Sequence, residues 1–250
     1  MNVASIRKPR EGQGRTHYAP PPNVRVRELR DLIAWSGRDA MHDAQLTLLT
    51  GRRDDPTVDL FLAGDPELLR APSVSVVGTR EVSEEGRRRA SRLARELAAE
   101  GIVVTSGLAK GVDTAALTAA IEAGGRVVAV IGTPIDKAYP AENASLQETI
   151  YRDHLLVSPF PEGEQVYPSN FPKRNRVMAA LSDASVIVEA SDTSGTLHQA
   201  AECQRLGRWL FIMRAVVEDK SLKWPSKFIG KPKVAVLSTT ADILRVIQRP

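Results

Sequence analysis

From Ser73 onward the chain alternates short β-branched and aliphatic runs with longer segments whose apolar positions recur at helical spacing. The runs Val74–Val77, Ile102–Thr105, Arg126–Ile131, His154–Val157, Ser185–Glu189 and Arg208–Met213 predict strands. Between them, Ser83–Glu100, Gly111–Ala123, Asn143–Arg152, Phe171–Leu181 and Ser194–Leu206 predict helices. The strand runs are almost continuously apolar, as expected where helices cover both faces of a parallel sheet. Strands and helices alternating through short connections predict an α/β fold with a doubly wound, mostly parallel sheet. Val234–Leu237 and Ala241–Ile247 predict one more strand and helix at the C-terminal end.

Ahead of Ser73 the pattern weakens. Residues 1–23 lack apolar periodicity and contain Pro20-Pro21-Pro22, which reads as a flexible arm. Val24–Trp35 and Ala40–Leu49 predict two short helices, Asp54-Asp55-Pro56 breaks the chain, and Asp65-Pro66 starts another helical turn. The expected organisation is a flexible basic arm over 1–23, a small N-terminal helical cap over 24–70 and a doubly wound domain over 71–250.

Composition changes this picture little. With 250 residues, 42% hydrophobic and 26% charged, the chain has the makeup of an ordinary globular protein. A single cysteine, Cys203, excludes an internal disulfide and a cysteine-rich metal site. The first 30 residues are polar, with no apolar run of the secretory kind, and no stretch approaches the ~18 apolar residues of a membrane span. The expectation is a cytoplasmic protein with no membrane association. Charge is more informative. Residues 1–30 carry Arg7, Lys8, Arg10, Arg15, Arg25, Arg27 and Arg30 against Glu11 and Glu28, whereas the whole chain has a net charge of only +4. The basic excess therefore sits in the arm, and a folded part that meets a polyanion must do so through a local pocket.

Candidate chemistry gathers where predicted strands end, which is where doubly wound sheets bind ligands. Gly78-Thr79-Arg80 follows the first strand, offering close backbone approach, a hydroxyl and a guanidinium suited to phosphate. After the second strand, Ser106-Gly107-Leu108-Ala109-Lys110-Gly111 leads into a helix, and Asp113 can cap that helix or hold a ribose or base. Phe171-Pro172-Lys173-Arg174-Asn175-Arg176 places cations beside an aromatic at the start of another helix, a pairing that suits a nucleic-acid strand. Glu189 ends the fifth strand, and Ser194-Gly195-Thr196 opens a third anion-friendly helix start. Glu189, like Asp113, is a candidate ligand contact. G-x-G-x-x-G does not follow the first strand and G-x-x-x-x-G-K-[ST] is missing, which excludes the usual dinucleotide and P-loop fingerprints. The histidines and Cys203 are scattered, so no metal, no catalytic constellation and no cofactor is expected.

In order, Val76-Val77-Gly78-Thr79-Arg80, Ser106 to Asp113, Asp136 with Tyr139-Pro140 and Asn143, Phe171 to Arg176, and Val188-Glu189-Ala190 with Ser194-Gly195-Thr196 resemble the motifs of the DNA-processing protein A (DprA/Smf) family. The resemblance implies an extended Rossmann-like domain that binds single-stranded DNA in a basic pocket. It also implies a homodimer that loads a RecA-type recombinase in DNA-mediated transformation. Under it, Arg80, Lys110, Lys173, Arg174 and Arg176 contact phosphates. Gly78, Thr79, Ser106, Gly107, Ser194 and Gly195 supply amides or hydroxyls, Phe171 gives a stacking surface, and Asn175 and Thr196 complete the set. The chain departs from the family pattern at Leu117, where His is usual, and at Ser158-Pro159, in place of Ser-Glu. It departs again at Phe211-Ile212-Met213-Arg214, in place of a Pro-Gly turn. A C-terminal winged helix, frequent in the family, is not expected in the residues after Met213.

Two other readings compete. One is a sensor for a free nucleotide. The other is a nucleoside-monophosphate phosphoribohydrolase, whose Arg-Lys-x-x-Met segment Arg174-Asn175-Arg176-Val177-Met178 imitates. In that enzyme class a carboxylate stands where this chain has Gln199, which cannot act as a general base.

Overall fold

A computed structural model of the chain describes residues 18–38 and 58–247. The elements run β1 (Arg25–Glu28), α1 (Leu29–Trp35), β2 (Asp59–Gly64), β3 (Ser73–Val77), α2 (Glu84–Ala99), β4 (Val103–Ser106), α3 (Val112–Glu122), β5 (Val127–Val130), α4 (Ala144–Asp153) and β6 (Leu155–Ser158). They continue with α5 (Asn170–Ala180), β7 (Ala184–Ile187), α6 (Thr196–Arg205), β8 (Trp209–Met213), α7 (Arg214–Glu218), β9 (Val234–Leu237) and α8 (Thr240–Ile247). The nine strands form one sheet in the order β1-β2-β6-β5-β4-β3-β7-β8-β9. All pairs from β6 across to β9 are parallel, whereas β1–β2 and β2–β6 are antiparallel. The chain winds outward from β3 to β6, then returns to lay β7 on the other side of β3. This reversal makes the sheet doubly wound in the Rossmann manner, with its switch point between β3 and β7.

Every residue of β3, β4, β5, β6 and β7 is buried. Successive side chains feed opposite cores. Leu155 and Val157 of β6 join one layer with residues of α1, α5 and α6, while Leu156 joins the other with residues of α2, α3 and α8. Small residues at Ala115, Ala116, Ala119 and Ala120 bury α3 on most of its circumference. Its first turn can therefore sit close behind the loop that follows β3.

The N-terminal section differs from expectation. The helix expected over Val24–Trp35 begins only at Leu29, because Arg25–Glu28 pairs with Asp59–Gly64 as an edge strand. The Leu- and Ala-containing β2 carries no β-branched signal, yet its ladder to β6 outweighs the helical propensity of those residues. The section read as a helical cap thus contributes two strands to the sheet edge. Asp65-Pro66 does begin a helical turn, with the Asp65 carboxylate accepting from Glu67 N at 3.1 Å. The expected helix Ala40–Leu49 and residues 1–17 of the arm lie outside the described residues. The arm's last residues are fastened to α4. Tyr18 Oη donates to Ile135 O at 2.8 Å and accepts from Gln147 Nε2 at 2.7 Å. Ala19 is bonded by Glu148 and Tyr151. The C-terminal strand and helix form as expected. No helix among the described residues is long and apolar enough to cross a membrane, and Cys203 is a buried core residue whose thiol burial pushes up to about 11.

Candidate functional site

A cleft of about 320 Å³ opens at the switch point, above the carboxyl ends of β3 and β7. Gly78, Thr79 and Arg80 form one lip, and Ser194, Gly195 and Thr196 at the start of α6 form the other. Phe171, Arg174 and Asn175 from the first turns of α5, with Asp113 from α3, close the remaining sides. A smaller recess of about 60 Å³ adjoins it, bounded by Gly107, Lys110, Gly132 and Tyr139 and sharing Arg80 and Phe171 with the cleft. The expected glycine- and serine-rich turns therefore meet along one rim.

Close approach of loops builds this rim. Gly111 has φ +82°, and a Cβ there would meet Arg80 O at 2.6 Å, so the loop after β3 rests directly on the start of α3. Gly107 leaves room for the Arg174 guanidinium, which a Cβ would strike. Across the switch point, Thr79 N donates to Glu189 O at 2.8 Å. The Glu189 carboxylate accepts from Ser83 N at 2.8 Å and Ser83 Oγ at 2.6 Å, at the N-terminus of α2. Glu189 thus fastens the end of β7 to the loop after β3, and its carboxylate is taken up by Ser83.

The cations separate into distinct settings. Arg80 is exposed, with its guanidinium carbon 4.9 Å from the centroid of the Phe171 ring. Arg174 is only 5% exposed, and its Nη1 donates to Gly107 O and, at 3.0 Å, to Val130 O. Asp113, 4% exposed, accepts from Gly107 N at 3.2 Å and Ala109 N at 3.4 Å, so it organises the loop after β4. Burial pushes the Asp113 carboxyl above its ordinary range, while Arg174 and the loop amides pull it back. Burial likewise lowers the Arg174 pKa and Asp113 opposes that change. The two buried groups attract one another across the loop after β4, to which both are hydrogen-bonded. Lys110 borders the small recess and pairs with Glu142 at 2.6 Å.

Other expected residues lie apart from the cleft. Arg176 faces α6 and pairs with Glu202 at 3.3 Å; Glu202 also binds Arg205. Lys173 is exposed on α5 and lines neither space. Ser106 is fully buried, its hydroxyl donating to Val76 O at 2.7 Å as a link between strands. Alanine at Arg176 is expected to lower stability by less than about 1 kcal/mol, the scale of a partly exposed pair. Urea denaturation reads this directly, and a larger loss would contradict the placement.

His198, which stands near the rim in the sequence, lines the cleft together with Ser191. One feature of the site escapes sequence reasoning. Trp224 is fully buried, its Nε1 donating to Ala190 O at 2.9 Å, and its own amide donates to Asp192 at 2.7 Å. Nothing in the polar segment around it announced that it braces the loop after β7. Among the described residues, no group of three or more His, Cys, Asp or Glu is arranged to hold a metal ion.

Comparison with known proteins agrees with this architecture. A relative from Streptococcus pneumoniae, DNA processing protein DprA, is 41% identical over 165 residues, covering 66% of this chain and 58% of the relative. The chain thus spans less than two thirds of that protein. The X-ray structure of DNA processing protein A from Streptococcus pneumoniae matches with a TM-score of 0.70 at 35% identity, covering 81% of this chain and 70% of that one. The structure of DNA processing protein A from Helicobacter pylori, studied for its single-stranded DNA binding mode, matches with a TM-score of 0.66 at 28% identity, covering 75% of this chain and 85% of that one. The family model described as DNA recombination-mediator protein A matches residues 40–248. On fold, motif order and sequence alike, the chain belongs to the DNA recombination-mediator protein A family.

Proposed function

We propose that this chain binds single-stranded DNA along the carboxyl rim of its sheet and acts as a recombination mediator of the DprA type. The observation that carries the reading is the switch-point cleft, where exposed Arg80, the Phe171 ring and the Ser194-Gly195-Thr196 helix start face one space. Cations for phosphates beside an aromatic surface are what a flexible strand requires. The Helicobacter pylori relative's single-stranded DNA binding supports it.

In this reading residues 71–250 form the binding unit, the basic arm over 1–23 adds counterion release, and the working form is a cytoplasmic homodimer that assists a RecA-type recombinase. Arg80 and Lys110 meet phosphates directly, and Lys173 reaches the strand from outside the cleft. Arg174 acts from beneath by holding the loop after β4. The protein works without catalysis. Gln199, at the position where a phosphoribohydrolase needs a carboxylate, is fully buried and donates to Ser185 Oγ at 2.9 Å. Glu202, the next carboxylate along α6, is paired with Arg176 and Arg205.

The cleft volume alone would also admit one free nucleotide, so strand length is the discriminating variable. Fluorescence anisotropy with oligonucleotides of increasing length is expected to show affinity that rises with length. It should also fall with salt at a log–log slope of about −0.7 per phosphate engaged. Single-stranded probes should outcompete duplex. Saturable mononucleotide binding with no gain from added length would replace this reading with the sensor.

A further inference from the structure

We propose that Tyr139 is a base-stacking platform for a second nucleotide on the rim, with Phe171 as its fixed backing. The inference rests on the single-stranded DNA reading above and concerns a residue to which that reading gives no role. Tyr139 is 48% exposed, an aromatic ring left half bare at the edge of the small recess. Phe171 is less available, because three neighbours hold it. Arg80 lies over its ring, the Tyr139 ring leans on it with centroids 5.7 Å apart at 48°, and the backbone of Gly132 approaches so closely that a Cβ would come within 2.7 Å. Of the two rings, Tyr139 keeps more open surface, and Phe171 fixes its position.

Tyr139 also stands between two spaces. On one side is the recess shared with Arg80 and Lys110; on the other is a cavity of about 480 Å³ bordered by Thr133 and Lys137. Shared walls set these spaces in series: Arg80 and Phe171 border both the cleft and the recess, Tyr139 borders both the recess and the cavity, and Arg80 and Lys110 are the cations of the recess. A π-face between spaces with cations at their edges suits successive nucleotides, whose bases stack without sequence preference and whose phosphates pass the cations.

The test places a single 2-aminopurine at successive positions of a single-stranded oligonucleotide and records its fluorescence with the wild-type protein, Tyr139→Leu and Tyr139→Phe. Stacking predicts strong quenching with the wild type and Tyr139→Phe, and loss of the Tyr139-dependent part of it in Tyr139→Leu. Affinity should fall about tenfold in Tyr139→Leu and stay within about twofold in Tyr139→Phe. Circular dichroism confirms that each variant is folded, and the phenylalanine variant separates loss of the ring from local damage. If the wild type binds the oligonucleotide while Tyr139→Leu leaves quenching and affinity unchanged, this inference is overturned and the DNA reading stands. If the wild type binds no single-stranded DNA at all, both fall.

Discussion

Arg174→Ala is expected to lower the unfolding free energy by roughly 3–5 kcal/mol, because it removes the buried charge that offsets Asp113 and leaves two buried carbonyls without their donor. Arg174 and Asp113 are 5% and 4% exposed, and the guanidinium also satisfies two main-chain carbonyls. Two controls distinguish this from a lost DNA contact. Asp113→Asn in the Arg174→Ala background should recover part of the loss, since the uncompensated charge is its main cause. The second control is pH. A carboxyl whose pKa is raised in the folded state contributes stability below its unfolded value, and that stability is lost as pH rises through the folded value. Burial raises Asp113, and Arg174 is the foremost opposing influence, so its removal raises Asp113 further. The deficit of Arg174→Ala should therefore be deepest near neutral pH and narrow as the solution is acidified. Urea midpoints across that range measure it, and a midpoint equal to wild type at neutral pH would refute the buried pair.

Arg80→Ala should leave stability nearly unchanged and weaken single-stranded DNA binding by roughly 10- to 150-fold, the range for losing a charge-assisted hydrogen bond. Arg80 is the exposed cation shared by the cleft and the small recess. Its loss should also flatten the salt dependence by about 0.7 in log–log slope for the one phosphate released. Arg80→Lys restores the charge without the planar group that lies over Phe171. It should therefore recover the slope more fully than the affinity. Anisotropy titrations at several salt concentrations separate the two quantities. An alanine variant with wild-type affinity and slope would remove Arg80 from the interface.

The parallel sheet was legible because its strands are buried on both sides. After their first residue, runs such as Arg126–Ile131 and Arg208–Met213 have no polar alternation, and the observed β5 and β8 begin and end within a residue of them. The glycine and serine turns were legible for a related reason, since they fall where such a run stops. The edge was not. β1 is four exposed residues and β2 is rich in helix formers, so their pairing depends on β6, nearly a hundred residues later. The cation cluster of α5 was legible as a cluster but misjudged as one surface. At about 100° per residue, Lys173, Arg174 and Arg176 point in three directions. Arg174 precedes Val177 and Met178 by three and four residues, so the spacing that names the buried face places Arg174 on it.

Glu189 ties the end of β7 to the loop after β3 at two points, Thr79 through its carbonyl and Ser83 through its carboxylate. The lip that carries Gly78, Thr79 and Arg80 is thereby anchored to the neighbouring strand. In the single-stranded DNA reading, an incoming strand would find that lip already placed, with little ordering of it left to occur. The cost of ordering would then fall on the strand, which has to straighten against a lip that does not have to form.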